Sequence, residues 1–262
     1  MAIVGEPLAP AVLESVNALS GWPPPDDGPF DPGGNWAHTY RIWICHGYTD
    51  KGNANRGTLR IERVAGEESS TLKVVQRIVS AGDIVHELHA QIFCRHDATA
   101  SLERWTLSSR FLDPDGAVRE PLSHQRAGAY RKDRIVQAID GRPHHQPAER
   151  LLTSDWCLFD ALQRRPFEDG DSPVFDLFDG LTVVRPEQRI RYAGTETFDR
   201  NGTRLPLHRF SQLGRGILPY DYWLDVNHRL LLVVSHDKAY ILDPKAEAKV
   251  ARRGKPPAAK GK

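Results

Sequence analysis

Between residues 36 and 243 the chain repeats one pattern, in which short runs rich in β-branched and aromatic residues are separated by turn motifs. In the clearest run, IVHELHAQIFCRH at residues 84–96, alternate residues are apolar apart from one histidine. Successive side chains of a strand point to opposite faces of the sheet. The run therefore predicts a strand with a core face made of Ile84, His86, Leu88, Ala90, Ile92 and Cys94.

Turn motifs join these runs over short distances. DPDG at residues 113–116 supplies proline and glycine for a turn, and Asn201-Gly202 is the strongest hairpin signal in the chain. Residues 127–140 predict a further hairpin. Strands joined by such turns run in opposite directions. The sequence therefore predicts a mainly β fold: a curved antiparallel sheet or incomplete barrel, antiparallel throughout, wrapped around one mid-chain helix.

That helix is predicted over residues 153–164, where the period of the pattern changes. Thr153, Ser154 and Asp155 offer N-cap side chains, and Pro166 ends the segment. Between these N-cap residues and Pro166, apolar side chains cover most of the circumference of the helix, as is typical of a buried helix. We expect it to be the longest helix of the body and to pack against the concave side of the sheet.

The two ends differ in composition from this body. Residues 1–35 combine a short amphipathic segment, 8–19, with a Pro/Gly-rich stretch that predicts a linker or an arm laid over the domain. Residues 36–243 are interpreted as a single β domain. Residues 244–262 carry seven basic residues and one glutamate, and predict a disordered basic tail. The tail lacks aromatic residues for base stacking, so no nucleic-acid partner is predicted.

The sequence limits, but does not decide, the cellular compartment of the protein and the pairing of its cysteines. No apolar run reaches the roughly 20 residues that a membrane helix needs, and the first residues lack a typical secretory leader. The chain is therefore cytoplasmic, or it is periplasmic or exported after removal of a leader. Three cysteines are too few for a disulfide scaffold. A cross-sheet disulfide between Cys45 and Cys94 is conceivable, although isolated buried thiols are more common.

The closing run GRGILPYDYWLD, RLLLVV and YIL, between Gly214 and Leu242, carries a resemblance. Together with the strand succession and the helix, it resembles an uncharacterised family of exported bacterial proteins. That family looks like the lipoprotein-carrier type of fold, an unclosed half-barrel around helical elements. The resemblance implies such a half-barrel over about residues 40–243. It implies no functional residue.

Motifs that could carry chemistry have plain alternatives. His86 and His89 form HExH rather than the HExxH zinc motif, and on a strand they point to opposite faces. His144-His145 is interpreted as a solvated loop bounded by prolines, and the acidic residues 168–171 as a loop after the helix. The chain has no GxSxG, phosphate-binding glycine loop or Cys-x-x-Cys. No cofactor, metal ligand or catalytic residue is assigned.

Three functions remain open. The first is a binding module whose concave face takes a hydrophobic or lipid-like small molecule or a partner segment, because ligand sites are concave and mostly apolar. Its candidate ligand-binding residues are His86, Trp105, Trp156, Phe159 and Tyr222. The second is an enzyme with a buried polar residue, for which His86 is the best candidate, although a structural role is favoured for that histidine. The third is a structural protein without a small-molecule site. Oligomeric state is not predicted.

Overall fold

The computed structural model describes residues 22–24, 29–44, 54–80, 83–168, 170–200, 203–235 and 238–246. These ranges contain fifteen strands. The strands are β1 (Trp36–Ile44), β2 (Ala54–Ala65), β3 (Ser69–Val79), β4 (Val85–Arg95), β5 (Leu102–Leu112), β6 (His124–Arg131), β7 (Arg134–Ile139), β8 (Arg142–Pro147), β9 (Leu151–Ser154), β10 (Phe175–Asp179), β11 (Val183–Arg200), β12 (Thr203–Leu213), β13 (Tyr220–Leu224), β14 (Leu230–Val234) and β15 (Lys238–Leu242). One α-helix, α1, spans Asp155–Gln163, and a 3-10 helix spans Glu120–Leu122.

All fifteen strands form one curved sheet, and its order runs from β8 down to β1, then from β15 down to β9. The first and last strands of the chain are therefore neighbours in the middle of the sheet. The two edge strands, β8 and β9, are consecutive in sequence and joined by residues 148–150. Four Cα steps separate their ends by at most about 15 Å. The sheet thus curls until its edges approach each other without pairing, and the predicted fold class is confirmed.

Tight turns explain the register of the hairpins. Lys132 and Asp133 have φ of 48° and 58°, and Asp140 and Gly141 have φ of 47° and 77°. Two central residues with positive φ are typical of the type I′ turn, whose twist matches that of the flanking strands. The predicted hairpin over residues 127–140 is thereby confirmed. β11 and β12 pair up to their ends, Arg200 opposite Thr203, while the Asn201-Gly202 step between them lies outside the described residues.

One strand pair runs parallel. β9 and β10 pair in parallel from Phe175 opposite Leu151 to Phe178 opposite Ser154, so the prediction of an antiparallel sheet throughout was wrong. A parallel pair needs a crossover of a dozen or more residues, usually a helix. Here α1 and the segment after it supply that crossover. The prediction failed because short turns indicate antiparallel neighbours, whereas this pair is separated by the helix.

The His144-His145 segment is also not a loop. Both residues lie exposed in β8, with His145 opposite Val136 and His144 opposite Gln137 of β7. Proline lacks an N–H for the ladder and is confined to edges within a sheet. β8 is an edge strand, so Pro143 is tolerated there. The proline-bounded composition indicated a loop, but it equally suits an edge.

The helix prediction is confirmed to within two residues. The Ser154 hydroxyl accepts a hydrogen bond from the Cys157 N–H at 3.1 Å, which satisfies one free donor of the first turn. Every residue from Trp156 to Gln163 is buried. The ring of Phe159 meets Tyr40 of β1 edge-on at 5.1 Å. The helix therefore fills the concavity, and among the described residues it is the α-helix around which the sheet curls.

The residues before β1 contact the body. Trp22 is buried in the hydrophobic core, and the Arg63 guanidinium donates to the carbonyls of Gly33 and Gly34. The amphipathic segment 8–19 and residues 247–262 lie outside the described residues. The division into arm, domain and tail stays a prediction. No helix in the described ranges is long and apolar enough to cross a bilayer.

Cys94 and Cys157 are both buried and free. A hydrogen bond between the two thiols is the largest cause that raises the pKa of Cys94, followed by burial. Cys45 lies outside the described residues. The conceivable Cys45–Cys94 disulfide therefore stays untested, and within the described residues the neighbour of Cys94 is Cys157, a thiol of the helix.

His38 on β1 is enclosed by aromatic rings. Trp36 stacks on it at 4.8 Å, and Phe30 lies at 5.3 Å. The Tyr40 hydroxyl donates to the Leu230 carbonyl at 3.2 Å, so the Nδ1–H of His38 donates to the Tyr40 oxygen at 3.3 Å. Burial, and then the positive charge of Arg229, lower the pKa of His38 to about 4.

His38 should make the fold sensitive to acid. Below pH 6.5 the unfolded chain binds a proton at this residue that the folded chain binds only below about pH 4. The folded form therefore loses stability as the pH falls through this window, by about 2 kcal/mol at pH 5. We expect His38→Gln to reduce the slope of unfolding free energy between pH 7 and pH 5, measured by urea denaturation. The exposed His89→Gln is the control; equal slopes in all three proteins would contradict this role.

Candidate functional site

A cavity of about 280 Å³ opens beside the first turn of α1. We call it the helix-cap pocket. Strands β10 to β15 and the segment before β13 supply the rest of its wall. Its apolar lining residues are Phe159, Leu177, Ile217, Leu218 and Val233; its polar and ionisable ones are Asp155, Asp179, Arg185, Gln212, Tyr220, Tyr222, Ser235, Lys238 and Tyr240, with Gly216.

Strand alternation builds one wall of this pocket. Tyr222, Val233 and Tyr240 lie opposite one another on β13, β14 and β15 and form a continuous row across the sheet. Tyr220 and Lys238 lie two residues from members of this row and therefore share its face. The residues of the closing run that pointed to strands thus also place three tyrosines and a lysine on the concave side.

The helix contributes the opposite wall. Asp155 and Phe159 are four residues apart and therefore lie on the same helix face. The Phe159 ring meets Tyr240 edge-on at 5.6 Å and Tyr222 at 6.4 Å. Edge-to-face aromatic pairs of this kind favour one ring orientation. The apolar side of the pocket is consequently held by the same contacts that pack the helix onto the sheet.

Lys238 supplies a positive charge inside the pocket. Its ammonium lies 5.6 Å from the ring centre of Tyr240 and 5.9 Å from that of Tyr220. Electrostatic attraction by Tyr240, then by Tyr220 and Asp155, raises the pKa of Lys238 well above its usual range despite burial. Within the described ranges, no carboxylate oxygen lies close enough to the Lys238 ammonium to form an ion pair, for which the limit is 4.0 Å. The ammonium is therefore charged, and hydroxyls rather than a carboxylate are its close partners.

Asp155 supplies a carboxyl group that titrates near neutral pH. Burial is the largest cause that raises its pKa to about 7, and the negative charge of Asp179 adds to it. Lys238 and the Gly180 N–H, which donates to the carboxyl at 3.1 Å, act in the opposite direction. The positive end of the helix dipole would also favour the ionised form. Desolvation outweighs these effects, so Asp155 exchanges a proton in the physiological range.

A chain of amide groups holds the floor of the pocket. The Tyr222 hydroxyl donates to Oε1 of Gln212 at 2.7 Å, and Nε2 of Gln212 donates to Oε1 of Gln188 at 3.3 Å. Gln188 in turn donates to the carbonyls of Pro186 and Arg215. A Cβ at Gly214 would lie 2.3 Å from the Gln188 amide, so any larger residue there would displace this amide from its position. These buried polar groups are satisfied internally and fix the orientation of Tyr222.

The predicted ligand-binding residues do not form one site. Phe159 and Tyr222 line the helix-cap pocket. Trp105 is buried elsewhere, with its ring 5.3 Å from Phe178, and Trp156 is buried in the core. His86 lies on β4, away from this pocket. Two of the five residues are therefore brought together, while the other three are not.

His86 lies half-buried on β4 between an aromatic ring and a hydroxyl group. Its ring stacks on Phe111 at 4.3 Å, and Nε2 is 2.8 Å from the Ser109 hydroxyl. Burial, followed by the charge of His124, lowers its pKa. The hydrogen bond that the ring makes is to a hydroxyl and not to an acidic side chain.

Sequence reasoning missed the ionisable part of the pocket. Asp155 was considered as a helix cap, and Lys238 was passed over beside the apolar run of the closing strands. The alternation of β13 and β15 places Tyr220, Tyr240 and Lys238 on one face and could have identified them. Whether these three side chains contact the helix depends on the register of β13 to β15 and on how deeply α1 lies in the concavity of the sheet. A single sequence reveals neither.

Other parts of the described structure offer weaker sites. A groove of about 650 Å³ crosses β3 to β7, but it is wide open to solvent and lined largely by small or uncharged residues, with Lys73, His89 and Arg126 spread along it. The described residues contain no group of three or more His, Cys, Asp or Glu side chains that could hold a metal ion. Unlike this groove and the cavities beside Arg164 and His124, the helix-cap pocket combines an apolar wall, a charged lysine and a carboxyl group with a pKa near 7.

Comparison with known proteins identifies the fold and leaves the function open. No protein-family model matches the chain, and no curated protein matches it. The crystal structure of a β-barrel-like protein of domain of unknown function DUF1849 from Brucella abortus is similar, with a TM-score of 0.53 and 9% sequence identity. The match covers 80% of this chain and 96% of that one. A β-barrel-like architecture is therefore shared with a bacterial protein of uncharacterised function.

Proposed function

We propose that this protein is a binding module that takes a small amphipathic molecule into the helix-cap pocket. The observation that carries the proposal is the charge of Lys238 at one side of a cavity whose other side is apolar. Ligand sites are typically concave and mostly apolar, with a few polar groups that orient the ligand. The pocket has this composition, and its volume of about 280 Å³ lies just below the usual range of about 300–1,000 Å³.

The arrangement supports binding better than the two alternatives. An enzyme centred on His86 would need a partner that polarises the ring, whereas Nε2 is bonded to Ser109. A purely structural protein would fill its concavity, and burying a lysine there with no carboxylate partner among the described residues would cost stability. A lysine retained beside an open cavity is better explained by a ligand. Aromatic rings from Phe159, Tyr222 and Tyr240 would contact the apolar part of that ligand.

A carrier role is consistent with the proposal. The closing strands resemble those of exported bacterial proteins with a lipoprotein-carrier type of half-barrel, and the β-barrel-like neighbour supports the architecture alone. Carrier folds hold their ligand inside the curved sheet, which is where the helix-cap pocket lies. We include transport of a hydrophobic molecule, and an exported location, in the proposal.

Titration with a neutral amphiphile, octanamide, tests the proposal. Leu218 lines the pocket mouth and is 50% exposed; Leu213 is 51% exposed and does not line the pocket. Leu218→Trp should therefore narrow the entrance without unfolding the chain. We expect octanamide to bind the native protein and Leu213→Trp equally, and Leu218→Trp at least about tenfold more weakly, by calorimetry.

Native mass spectrometry of the purified protein provides a second measurement, because it detects any small molecule that co-purifies. If that molecule co-purifies with the native protein and Leu213→Trp but not with Leu218→Trp, the pocket is supported as its binding site. Equal octanamide affinity in all three proteins, or no binding of either octanamide or its carboxylate analogue octanoate to any of them, would contradict the proposed function.

A further inference from the structure

We propose that the helix-cap pocket selects a monocarboxylate, whose carboxylate pairs with Lys238 while Asp155 takes up a proton and donates it in a hydrogen bond to the same group. This inference rests on the proposed function and adds the chemical class of the ligand to it. No covalent bond changes: one proton moves from solvent to the Asp155 carboxyl on binding.

Lys238 provides the charge that an anion requires. Its neighbours in the pocket wall are the Tyr220 and Tyr240 rings at 5.9 Å and 5.6 Å, and their hydroxyl groups are neutral acceptors. Within the described residues this ammonium forms no ion pair, so its charge remains available to a ligand although Asp155 lies near enough to attract it. A hydrogen bond between an ammonium and a carboxylate is about twice as strong as a neutral one. The pocket therefore favours an anionic group over an amide or alcohol at this position.

Asp155 determines when the pocket accepts that anion. The groups that face it are Asp179 of β10, Arg185 of β11, Tyr220 and Tyr222 of β13, and Lys238 and Tyr240 of β15. Arg185 is engaged by Asp179 at 3.4 Å. Ionised Asp155 would repel a ligand carboxylate, whereas protonated Asp155 donates a hydrogen bond to it. Two carboxyl groups that share a site commonly share one proton in this way.

The remaining volume limits the ligand. At about 30 Å³ for each water-sized group, the cavity holds roughly nine such groups. The apolar residues Phe159, Ile217 and Val233 lie along it. A medium-chain or small aromatic monocarboxylate fits this volume, and octanoate is a suitable probe. Octanamide has the same shape without the charge and is the matched comparison.

The pH dependence follows from the proton that Asp155 takes up. With a pKa of about 7 in the free protein, Asp155 is mostly protonated at pH 6 and mostly ionised at pH 8. Octanoate itself is ionised at both values. If binding requires the protonated form, its affinity falls about tenfold between pH 6 and pH 8. The affinity for octanamide should change much less, because no charge repulsion is involved.

The experiment is calorimetric titration of the full chain with octanoate and with octanamide at pH 6 and pH 8. Three variants accompany the native protein: Lys238→Met removes the charge, Lys238→Arg retains it, and Asp155→Asn keeps an acceptor for the Gly180 N–H. We expect Lys238→Met to weaken octanoate at least about tenfold and octanamide by a clearly smaller factor, because the ammonium can donate to the amide oxygen but forms no ion pair with it. Lys238→Arg should retain most of the preference for octanoate. Asp155→Asn should abolish the tenfold pH effect.

The outcomes separate this inference from the proposed function. If octanamide binds but octanoate binds no better at pH 6 than at pH 8, or Lys238→Met weakens both probes equally, the carboxylate inference is overturned and the pocket stands. If neither probe binds the native protein, both are overturned. Should Lys238→Met fail to fold by circular dichroism, the pH profiles of the native protein and Asp155→Asn decide the matter.

Discussion

Replacing Asp160 with alanine is expected to lower the free energy of unfolding by about 3–5 kcal/mol. Asp160 lies on α1 with its side chain inaccessible to solvent, and Oδ1 is 2.6 Å from Nε of Arg63 on β2. The contact is an ion pair without hydrogen-bond alignment. Oδ2 also pairs with Arg164 at 2.9 Å. Removing the carboxylate leaves the buried guanidinium of Arg63 uncompensated, and desolvation of that charge accounts for the loss.

Two variants test this cause against a general defect. Glu103→Ala removes the carboxylate of an exposed pair with Arg95 at 3.2 Å and should change stability by less than about 1 kcal/mol. The double variant Arg63→Met with Asp160→Leu removes both charges and should be much more stable than Asp160→Ala, because apolar residues can replace a buried pair at small cost. Urea denaturation measures all of them. If the double variant is as unstable as Asp160→Ala, loss of packing and not charge is responsible.

Trp156→Ala is expected to lower the free energy of unfolding by about 3–5 kcal/mol, a large part of the roughly 5–15 kcal/mol of a typical domain. Trp156 is the second residue of α1 and is 2% exposed within the core. Truncation removes a large apolar surface and leaves a cavity between helix and sheet. Trp156→Phe should lose less, and Leu122→Ala, at an exposed leucine, should lose almost nothing. A midpoint for Trp156→Ala close to that of the native protein would refute the packing of this helix.

The strands were predictable because their side chains alternate. Residues Leu88, Ala90, Ile92 and Cys94 of β4 are buried as the period-2 pattern predicted. Helix α1 was predictable because a capped apolar segment that ends at a proline has no equivalent among strands. Local chemistry decides both features, so a single sequence carries them.

The strand order at the two open edges of the sheet was not predictable, because it depends on contacts between distant residues. The parallel pairing of β9 with β10 across the α1 crossover and the edge position of β8 are features of the strand order that no local pattern contains. The Thr153 hydroxyl of edge strand β9 donates to the Thr99 carbonyl at 2.6 Å and so connects that strand to the segment between β4 and β5. No local pattern at either residue indicates the other.

The site was predictable in part. Phe159 and Tyr222 belong to strongly apolar segments and were identified, whereas Asp155 and Lys238 are charged residues whose ordinary place is the surface. Their position in a cavity depends on the meeting of the helix with β15. Trp105 and Trp156, which were also predicted as ligand-binding residues, are buried in the core instead of lining this pocket, because aromatic composition indicates burial and does not distinguish a core from a cavity wall.

A crystal structure of the chain grown with octanamide would test the binding pocket most directly. The apolar chain of the ligand should lie against Phe159, Tyr222 and Val233, with its amide group toward Lys238. Octanamide found in the open groove across β3 to β7, or a helix-cap pocket that stays empty at saturating octanamide, would contradict the assignment of this pocket as the functional site.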